Sequence, residues 1–237
     1  MQRTKKLSIK QLESYLQDLD DFERPKIELE QYATPPHIAA LLLNAIDQTY
    51  DDLDGKLVCD LGCGTGRLAA GSVICGAKMV FGFDLDQSAL DGALQNFNDT
   101  FNENEQDGMS GLYQACPSFN LIQADIASQE YDAFWKCWHN FFDTVIMNPP
   151  FGTKQNAGLD IKFLERAINL SKGTVYSLHK TSTRDYILSK SKQWAVSAKP
   201  IAQIRYNLEN TYKFHKRKSV DIDVDLWRVE DIERIGG

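Results

Sequence analysis

A glycine-rich segment between an apolar run and a helix-like stretch constrains the fold of this chain most strongly. The segment 60–66, which contains Gly62, Gly64 and Gly66, directly follows the β-prone run 56–59 and precedes the helix-like stretch 67–75. Glycines allow positive φ angles and close approach of a ligand to the backbone, and a helix N-terminus offers unpaired N–H groups. The order of strand, glycine-rich turn and helix therefore predicts a nucleotide-like cofactor site in an α/β fold.

Acidic residues at the ends of the next two predicted strands indicate which cofactor is bound. The NAD fingerprint requires a small residue where this chain has Arg67, so the spacing disfavours NAD. Asp84 follows a second apolar strand at the distance where an acid binds ribose hydroxyls. Asp86 is an alternative ligand, although we expect it to be a solvated loop residue. Asp125 can accept a hydrogen bond from an adenine amino group, and Ile126 would lie behind the ring. Together with Gly62, Gly64 and Thr65, these residues predict an adenosine-bearing cofactor.

A second motif, Asn148-Pro149-Pro150-Phe151, follows the apolar run 144–147 and so lies at the end of another predicted strand. An exocyclic amine such as adenine N6 is a poor nucleophile because its lone pair is delocalised into the ring. The Asn148 side-chain oxygen and the Pro149 carbonyl can each accept an N–H hydrogen and so localise that lone pair. The two prolines stiffen the turn, and Phe151 supplies a flat face for stacking. An ordinary Pro-Pro turn with an aromatic plug is the structural alternative.

These motifs and their order resemble those of class I S-adenosylmethionine-dependent methyltransferases. The matching segments are D-L-G-C-G-T-G at 60–66, F-D-L-D at 83–86, Q-A-D-I at 123–126 and N-P-P-F at 148–151. Segments 29–35, 143–154, 175–180 and 212–221 resemble, more specifically, the methyltransferase-like protein 5 family, and the resemblance spans about residues 12–227. Two stretches, 101–119 and 128–142, look like insertions relative to that family.

The resemblance carries expectations about activity, cofactor and partner. It implies transfer of a methyl group from S-adenosylmethionine to adenosine N6 in 18S ribosomal RNA of the small subunit. It also implies that Gln31 and Thr34 contact the cofactor. The partner would be a Trm112-like zinc-binding activator that adds a strand to a sheet edge, and residues 120–124 are the expected docking strand.

The order of the elements predicts one methyltransferase domain over residues 1–237. An N-terminal helical cap is expected over about 8–50, with Thr34 as the N-cap of its second helix and Pro35 at the first helical position. A Rossmann-like core is expected over about 55–230. The α/β core should contain a seven-stranded, mostly parallel sheet with helices on both faces. Its C-terminal strand should be antiparallel, because strands 201–206 and 220–226 follow each other with no helix between them.

The charge of the chain is unusual for a protein that binds RNA. Its 237 residues carry a net charge of −7, whereas an autonomous nucleic-acid binder is usually basic. Positive charge is concentrated locally instead. The residues predicted to contact RNA phosphates are Lys213, His215, Lys216, Arg217 and Lys218. This combination predicts that a folded RNA or a partner guides docking.

Other sequence features bear on compartment and on metal binding. No apolar run approaches the ~20 residues of a membrane span, and the first residues lack a secretory h-region. We therefore expect an intracellular protein, in the nucleus and cytoplasm. The five cysteines form no C-x-x-C pair and are odd in number, which argues against a zinc site and a disulfide framework. His179 could face the pocket, but a packing or capping role is favoured.

Two other functions are compatible with the motifs. A protein glutamine N5-methyltransferase uses the same logic on a planar amide, but that class usually has Tyr where this chain has Phe151, and the basic segment favours a phosphate-bearing substrate. A non-catalytic RNA-binding scaffold would have the fold without the reaction. The intact tetrad at 148–151 argues against the scaffold.

Overall fold

The structure, a computed structural model, describes residues 6–102, 118–152, 156–209 and 219–231. Its strands are β1 (Leu57–Leu61), β2 (Met79–Asp84), β3 (Ser118–Gln123), β4 (Phe142–Met147), β5 (Ser171–Lys180), β6 (Val196–Glu209) and β7 (Ser219–Asp231). Its α-helices are α1 (Ile9–Gln17), α2 (Pro36–Ala45), α3 (Arg67–Ile74), α4 (Gln87–Asn102), α5 (Asp132–Lys136), α6 (Leu159–Leu170) and α7 (Arg184–Gln193). No helix in these ranges is long and apolar enough to cross a membrane.

The strands form one seven-stranded sheet in the order β3-β2-β1-β4-β5-β7-β6, and β7 is antiparallel to the other six. The central strands are nearly continuous apolar runs, which is typical of parallel strands covered on both faces. One hydrophobic cluster joins α1, α2 and α3 to the sheet, and a second joins α5, α6 and α7 to the opposite face. The predicted fold, a class I methyltransferase sheet with an antiparallel C-terminal strand, is confirmed.

The start of the second N-terminal helix differs from the sequence prediction. Ser8 caps α1 through a capping box with Gln11, and the helix ends at Gln17. The prediction that Thr34 is the N-cap of α2 is wrong, because Pro35 occupies that position. The Thr34 hydroxyl is instead hydrogen-bonded to the Asn148 side chain.

The last two strands form a ribbon that extends beyond the rest of the sheet. The β5–β7 pairing ends at Lys180 and Val224, whereas β6 and β7 remain paired as far as Glu209 and Ser219. The ribbon therefore continues past the carboxyl end of β5. This extension brings Tyr206 of β6 into contact with the residue that follows β4.

The aromatic-rich segment 128–142, expected as an insertion, packs on the sheet. Trp135 of α5 is buried, and its ring centroid lies 5.1 Å from that of Phe83 in β2. Trp138 stacks on Phe142 of β4, with ring centroids 5.7 Å apart. The segment thus contributes to the core. Most of the other expected insertion, residues 103–117, lies outside the described ranges.

Candidate active site

A cavity of about 250 Å³ lies at the carboxyl ends of β1, β2 and β4. Ligands of open α/β sheets bind at this edge. The cavity is lined by all eight residues predicted to bind the cofactor, namely Gln31, Thr34, Gly62, Gly64, Thr65, Asp84, Asp125 and Ile126. Asn148 and Pro150 of the second motif also line it. The two motifs that are far apart in sequence therefore meet in one site.

The glycine loop is held close to its neighbours by backbone hydrogen bonds. The N–H groups of Gly62 and Cys63 both donate to the Phe83 carbonyl, at 2.8 and 3.0 Å. Gly64 has a φ of +53°, and a Cβ at this position would lie 2.7 Å from the Phe22 ring. Position 64 therefore requires glycine both for its backbone conformation and for the close approach of Phe22.

Asp84 connects the end of β2 to the glycine loop. Its Oδ2 accepts the Gly64 N–H at 2.8 Å, and its Oδ1 accepts the Asp86 N–H at 2.9 Å. Burial raises the pKa of Asp84, although these hydrogen bonds act in the opposite direction. Since a carboxylate oxygen can accept more than one hydrogen bond, Asp84 retains capacity for hydroxyl donors from a ligand.

The segment after β3 carries the third predicted group of ligand contacts. Asp125 Oδ1 accepts the N–H groups of Ala127 and Ser128 at 2.9 and 3.0 Å, which fixes the carboxylate in a turn. The Asp125 carbonyl accepts the indole N–H of Trp135 at 3.0 Å. Ile126 is buried beside it and offers an apolar surface to the cavity.

Asp60, at the end of β1, is a site residue that the sequence analysis did not single out. It lines the cavity and is only 1% exposed. Neither carboxylate oxygen has a hydrogen-bond partner among the described residues, and burial raises the pKa of Asp60 to about 8. The sequence did contain an indication of this role, because Asp60 is the first residue of the D-L-G-C-G-T-G motif. A cationic ligand group next to Asp60 would favour the ionised form of its carboxyl group.

Arg67 fastens the N-terminal segment to the glycine loop. Its guanidinium donates to the carbonyls of Leu16, Leu19 and Thr34, at distances of 3.2, 2.6 and 2.9 Å. The residue that departs from the NAD fingerprint is therefore a structural anchor. It holds α1 and the segment before α2 next to the cavity.

A second anchor is Asp86, and the expectation that it is a solvated loop residue is wrong. Asp86 is buried and accepts hydrogen bonds from Lys26 Nζ at 2.6 Å and Gln31 Nε2 at 2.7 Å. Burial alone would raise the pKa of Asp86, but the hydrogen bonds from Lys26, Gln31 and Ser88 lower it to about 2. Asp86 thereby ties the segment that carries Gln31 to the end of β2.

Asn148 follows β4 and presents its amide to two hydroxyl groups. Its Nδ2 lies 3.0 Å from Thr34 Oγ1 and 3.2 Å from the Tyr206 hydroxyl. Its Oδ1 is buried and has no hydrogen-bond partner among the described residues. The amide therefore has a vacant acceptor in a residue that lines the cavity, as the recognition of an amine requires.

The other members of the tetrad occupy different positions. Pro150 lines the cavity, whereas Phe151 is 6% exposed and belongs to the hydrophobic core. The Phe151 ring lies 5.6 Å from the Tyr32 ring and 5.8 Å from the Tyr206 ring, measured between centroids. Stacking of Phe151 on a base and acceptance by the Pro149 carbonyl both stay predictions.

His179 lies within a buried hydrogen-bonded chain outside the cavity lining. Its Nε2 is 2.7 Å from Ser177 Oγ, and its Nδ1 is 3.2 Å from Asp160 Oδ2. This arrangement joins β5 to the first turn of α6, as the favoured packing role predicts. The predicted RNA contacts Lys213, His215, Lys216, Arg217 and Lys218 lie outside the described residues.

The cavity fits S-adenosylmethionine, the cofactor predicted from the sequence. Asp84 and Asp125 offer acceptors for hydroxyl and amino groups, and Ile126 offers an apolar surface for a ring. The unpartnered Asp60 carboxylate suits a positively charged ligand, and this cofactor carries positive charge on its sulfonium and ammonium groups.

The fold and the site together define a class I methyltransferase. A family model described as "Ribosomal protein L11 methyltransferase (PrmA)" matches residues 36–129. The crystal structure of PH1948 from Pyrococcus horikoshii is similar at 29% identity and a TM-score of 0.73, and the alignment covers 94% of this chain and 96% of that one.

Relatives that align with nearly the full length of this chain identify its family. The chain is 46% identical to the rRNA N(6)-adenosine-methyltransferase Mettl5 of Drosophila melanogaster, covering 95% of this chain and 97% of the relative. It is 47% identical to the rRNA N(6)-adenosine-methyltransferase METTL5 of Danio rerio, and the alignment covers 94% of this chain and 98% of the relative. The chain belongs to the METTL5 family, which is the methyltransferase-like protein 5 family that the sequence motifs resemble.

Proposed function

We propose that this protein transfers a methyl group from S-adenosylmethionine to N6 of an adenosine in ribosomal RNA, specifically in 18S RNA of the small subunit. The observation that carries this proposal is the vacant acceptor Asn148 Oδ1, which belongs to a residue of the same cavity as the carboxylates of Asp60 and Asp84. Family membership supports the choice of ribosomal RNA adenosine, because both METTL5 relatives carry that activity in their names.

The residues around the amine mainly orient it. S-adenosylmethionine supplies a methyl group that its positively charged sulfur has already activated. Asn148 Oδ1 accepts one N–H of the target amine, and the Pro149 carbonyl accepts the second, so the nitrogen lone pair leaves the plane of the ring. The proton of the amine is lost after methyl transfer, so the site needs no strong general base. The rigid turn at Pro149 and Pro150 holds the acceptors before substrate arrives.

The RNA reaches the site as an unstacked base. Extrusion of a base costs a few kcal/mol, and this cost is lowest for an adenosine that is already unpaired. Phosphates on either side would be held by the basic segment Lys213, His215, Lys216, Arg217 and Lys218. This segment connects the ends of β6 and β7, and Tyr206 on the same ribbon contacts Asn148. The net charge of −7 implies that local contacts, and not the overall field of the protein, attract the RNA.

A Trm112-like partner would bind at the β3 edge of the sheet. In the part of the chain that the structure describes, β3 pairs only with β2, and residues 118–123 contain no charged residue or proline. The opposite edge strand, β6, contains Lys199, Pro200 and Arg205, which discourage strand addition. The two edges therefore differ in their suitability for β-augmentation.

Incubation with methyl-labelled S-adenosylmethionine and total ribosomal RNA tests the activity, with and without a Trm112-like protein. We expect labelled N6-methyladenosine in digested 18S RNA, and labelling that is about 10²- to 10³-fold slower with the Asn148→Ala variant. Label on protein glutamine would replace this proposal by the glutamine methyltransferase function. If the complex binds S-adenosylmethionine but labels neither RNA nor protein, a scaffold role is supported instead.

The partner is tested by co-purification with variants of exposed residues on the two edges. Asn120→Lys places a charge on β3, and Gln203→Lys places the same charge on β6. We expect only Asn120→Lys to prevent co-purification with a Trm112-like protein. Equal retention by both variants would contradict docking on β3. Because the proposed substrate is ribosomal RNA, we also propose that the protein acts in the nucleus and cytoplasm, and fluorescent tagging of the full chain tests this.

A further inference from the structure

We propose that Tyr206 is a positioning residue for methyl transfer, because its hydroxyl fixes the Asn148 amide with Oδ1 toward the target amine. This proposal rests on the proposed function and adds a residue that neither motif contains. Tyr206 lies in β6, 58 residues after Asn148, and is absent from the cavity lining. It therefore acts through Asn148 and not by contact with the substrate.

Three polar groups meet at this point. Asn148 Nδ2 contacts Thr34 Oγ1 at 3.0 Å and the Tyr206 hydroxyl at 3.2 Å. Nδ2 carries two hydrogens, one for each of these two contacts.

The orientation of the Asn148 amide follows from these contacts. Nδ2 points toward the two hydroxyl oxygens, and Oδ1 points away from them and has no hydrogen-bond partner among the described residues. The Tyr206 hydroxyl is thus one of the two acceptors that favour this orientation, which leaves Oδ1 available.

The orientation matters because the target group is a hydrogen-bond donor. Asn148 Oδ1 can accept an N–H from the target amine, whereas a reversed amide would present its own N–H groups to that amine. Loss of the Tyr206 hydroxyl would remove one of the two acceptors that hold Nδ2. A larger fraction of the protein would then have the reversed amide, which cannot bind the amine productively.

The surroundings of Tyr206 keep the hydroxyl neutral and in place. Tyr206 is 1% exposed, and its ring lies edge-on to Phe151 and Tyr32, at centroid distances of 5.8 and 6.4 Å. Burial raises the pKa of Tyr206, so the hydroxyl retains its proton across the physiological range. A Tyr206→Phe variant would keep these ring contacts while removing only the hydroxyl.

The kinetic test compares Tyr206→Phe with the wild type in the complete complex. We expect kcat to fall about 10-fold, with the affinity for S-adenosylmethionine unchanged within about 2-fold. In the Asn148→Ala background, Tyr206→Phe should have no further effect, since the amide that it orients is already absent. Independent, multiplicative losses in the double variant would overturn the proposal.

Tyr176→Phe is the matched control. Tyr176 is also buried, and its hydroxyl donates to Asp52 Oδ2 at 2.7 Å, away from the cavity lining. We expect this variant to lose stability but not kcat. If Tyr176→Phe and Tyr206→Phe lowered kcat equally, the role of Tyr206 would be general packing and the proposal would fail.

A readout that does not depend on activity is the NMR signal of the Asn148 side-chain NH₂ group, identified by its absence in Asn148→Ala. Tyr206→Phe should shift one of its two proton signals and speed rotation about the amide bond. Unchanged amide signals would overturn the proposal even if the wild type methylates RNA. If the wild type labels no RNA but Tyr206→Phe changes the Asn148 amide signals, only the proposed function would be contradicted.

Discussion

The two sides of the cavity differ in charge and in the way the chain builds them. The cofactor side presents the carboxylates of Asp60, Asp84 and Asp125, whereas the amine side presents the neutral amide of Asn148 held by two hydroxyls. The difference matches the two ligands. A cationic cofactor is attracted by carboxylates, and a neutral amine needs an acceptor that does not take its proton.

The two sides also differ in the sequence separation of their contacts. The hydrogen bond between Gly64 and Asp84 spans 20 residues, within one strand-helix-strand unit. The bonds of Asn148 to Thr34 and Tyr206 span 114 and 58 residues. The contact between the glycine loop and Asp84 is thus local, whereas the contacts of Asn148 require most of the chain to be folded. This comparison predicts that substitutions on the two sides have separable effects.

The largest expected effect is on the amine side. Asn148→Ala removes the acceptor for the target amine and should lower kcat by about 10²- to 10³-fold. Other enzymes lose a similar factor when one preorganised hydrogen-bonding group that stabilises the transition state is removed. The dissociation constant for S-adenosylmethionine, measured by calorimetry, should change by no more than about 2-fold. Asn169→Ala on the exposed surface of α6 is the control, with no expected change. Equal losses of kcat and cofactor affinity in Asn148→Ala would contradict the prediction that substitutions on the two sides have separable effects.

The next effect is on the cofactor side, where we expect the affinity for S-adenosylmethionine to change and kcat to remain nearly constant. Asp84→Asn retains the shape of the side chain but removes its charge and one acceptor oxygen. The affinity for S-adenosylmethionine should fall about 10- to 100-fold, as for other hydrogen bonds to charged groups. At saturating cofactor, kcat should remain within about 3-fold of the wild type. The exposed Asp99→Asn is the matched control. A loss of kcat that saturation does not restore would contradict this assignment.

The same difference explains what the sequence could predict. The eight cofactor residues follow from the order of short motifs or from family resemblance, and all of them line the cavity. A strand, a glycine turn and a strand-end acid are local patterns, so their spacing determines which groups meet. The mostly parallel sheet and the antiparallel β7 likewise follow from the alternation of strands and helices and from the final pair of strands.

The features that the sequence did not predict depend on tertiary contacts, which no local sequence pattern encodes. The Thr34-Pro35 pair resembles a helix start, but the Thr34 hydroxyl is hydrogen-bonded to Asn148, so α2 begins one residue later than predicted. Asp86 resembles a solvated loop acid until Lys26 is brought to it from 60 residues away. Tyr206 ends the predicted strand 201–206, which contains no functional motif, and only the extension of the β6–β7 ribbon brings it to the site.

An effect of a different kind concerns stability, and it arises from the buried carboxyl group of Asp60 on the cofactor side. Burial raises the pKa of Asp60 from its ordinary 3.8 to about 8, so the folded protein retains a proton that the unfolded chain loses. As pH rises from about 4 to 8, this difference lowers the free energy of unfolding, by at most about 1.4 kcal/mol per pH unit. Asp60→Asn removes this dependence. In the cofactor-free protein, its melting temperature should exceed that of the wild type by a margin that grows from pH 5 to pH 8.

Tyr206→Phe provides the matched measurement for the amine side. Because burial raises the pKa of Tyr206 above its ordinary 10.0, its hydroxyl does not titrate between pH 5 and pH 8. The difference in melting temperature between Tyr206→Phe and wild type should therefore be constant over that range. Each 1 kcal/mol corresponds to about 2–4 °C for a chain of this size, which differential scanning fluorimetry resolves. A constant difference for Asp60→Asn as well would mean that Asp60 has the same pKa in the folded and unfolded protein. Ionisation on the cofactor side would then have no cost in stability, and the two sides would not differ in this respect.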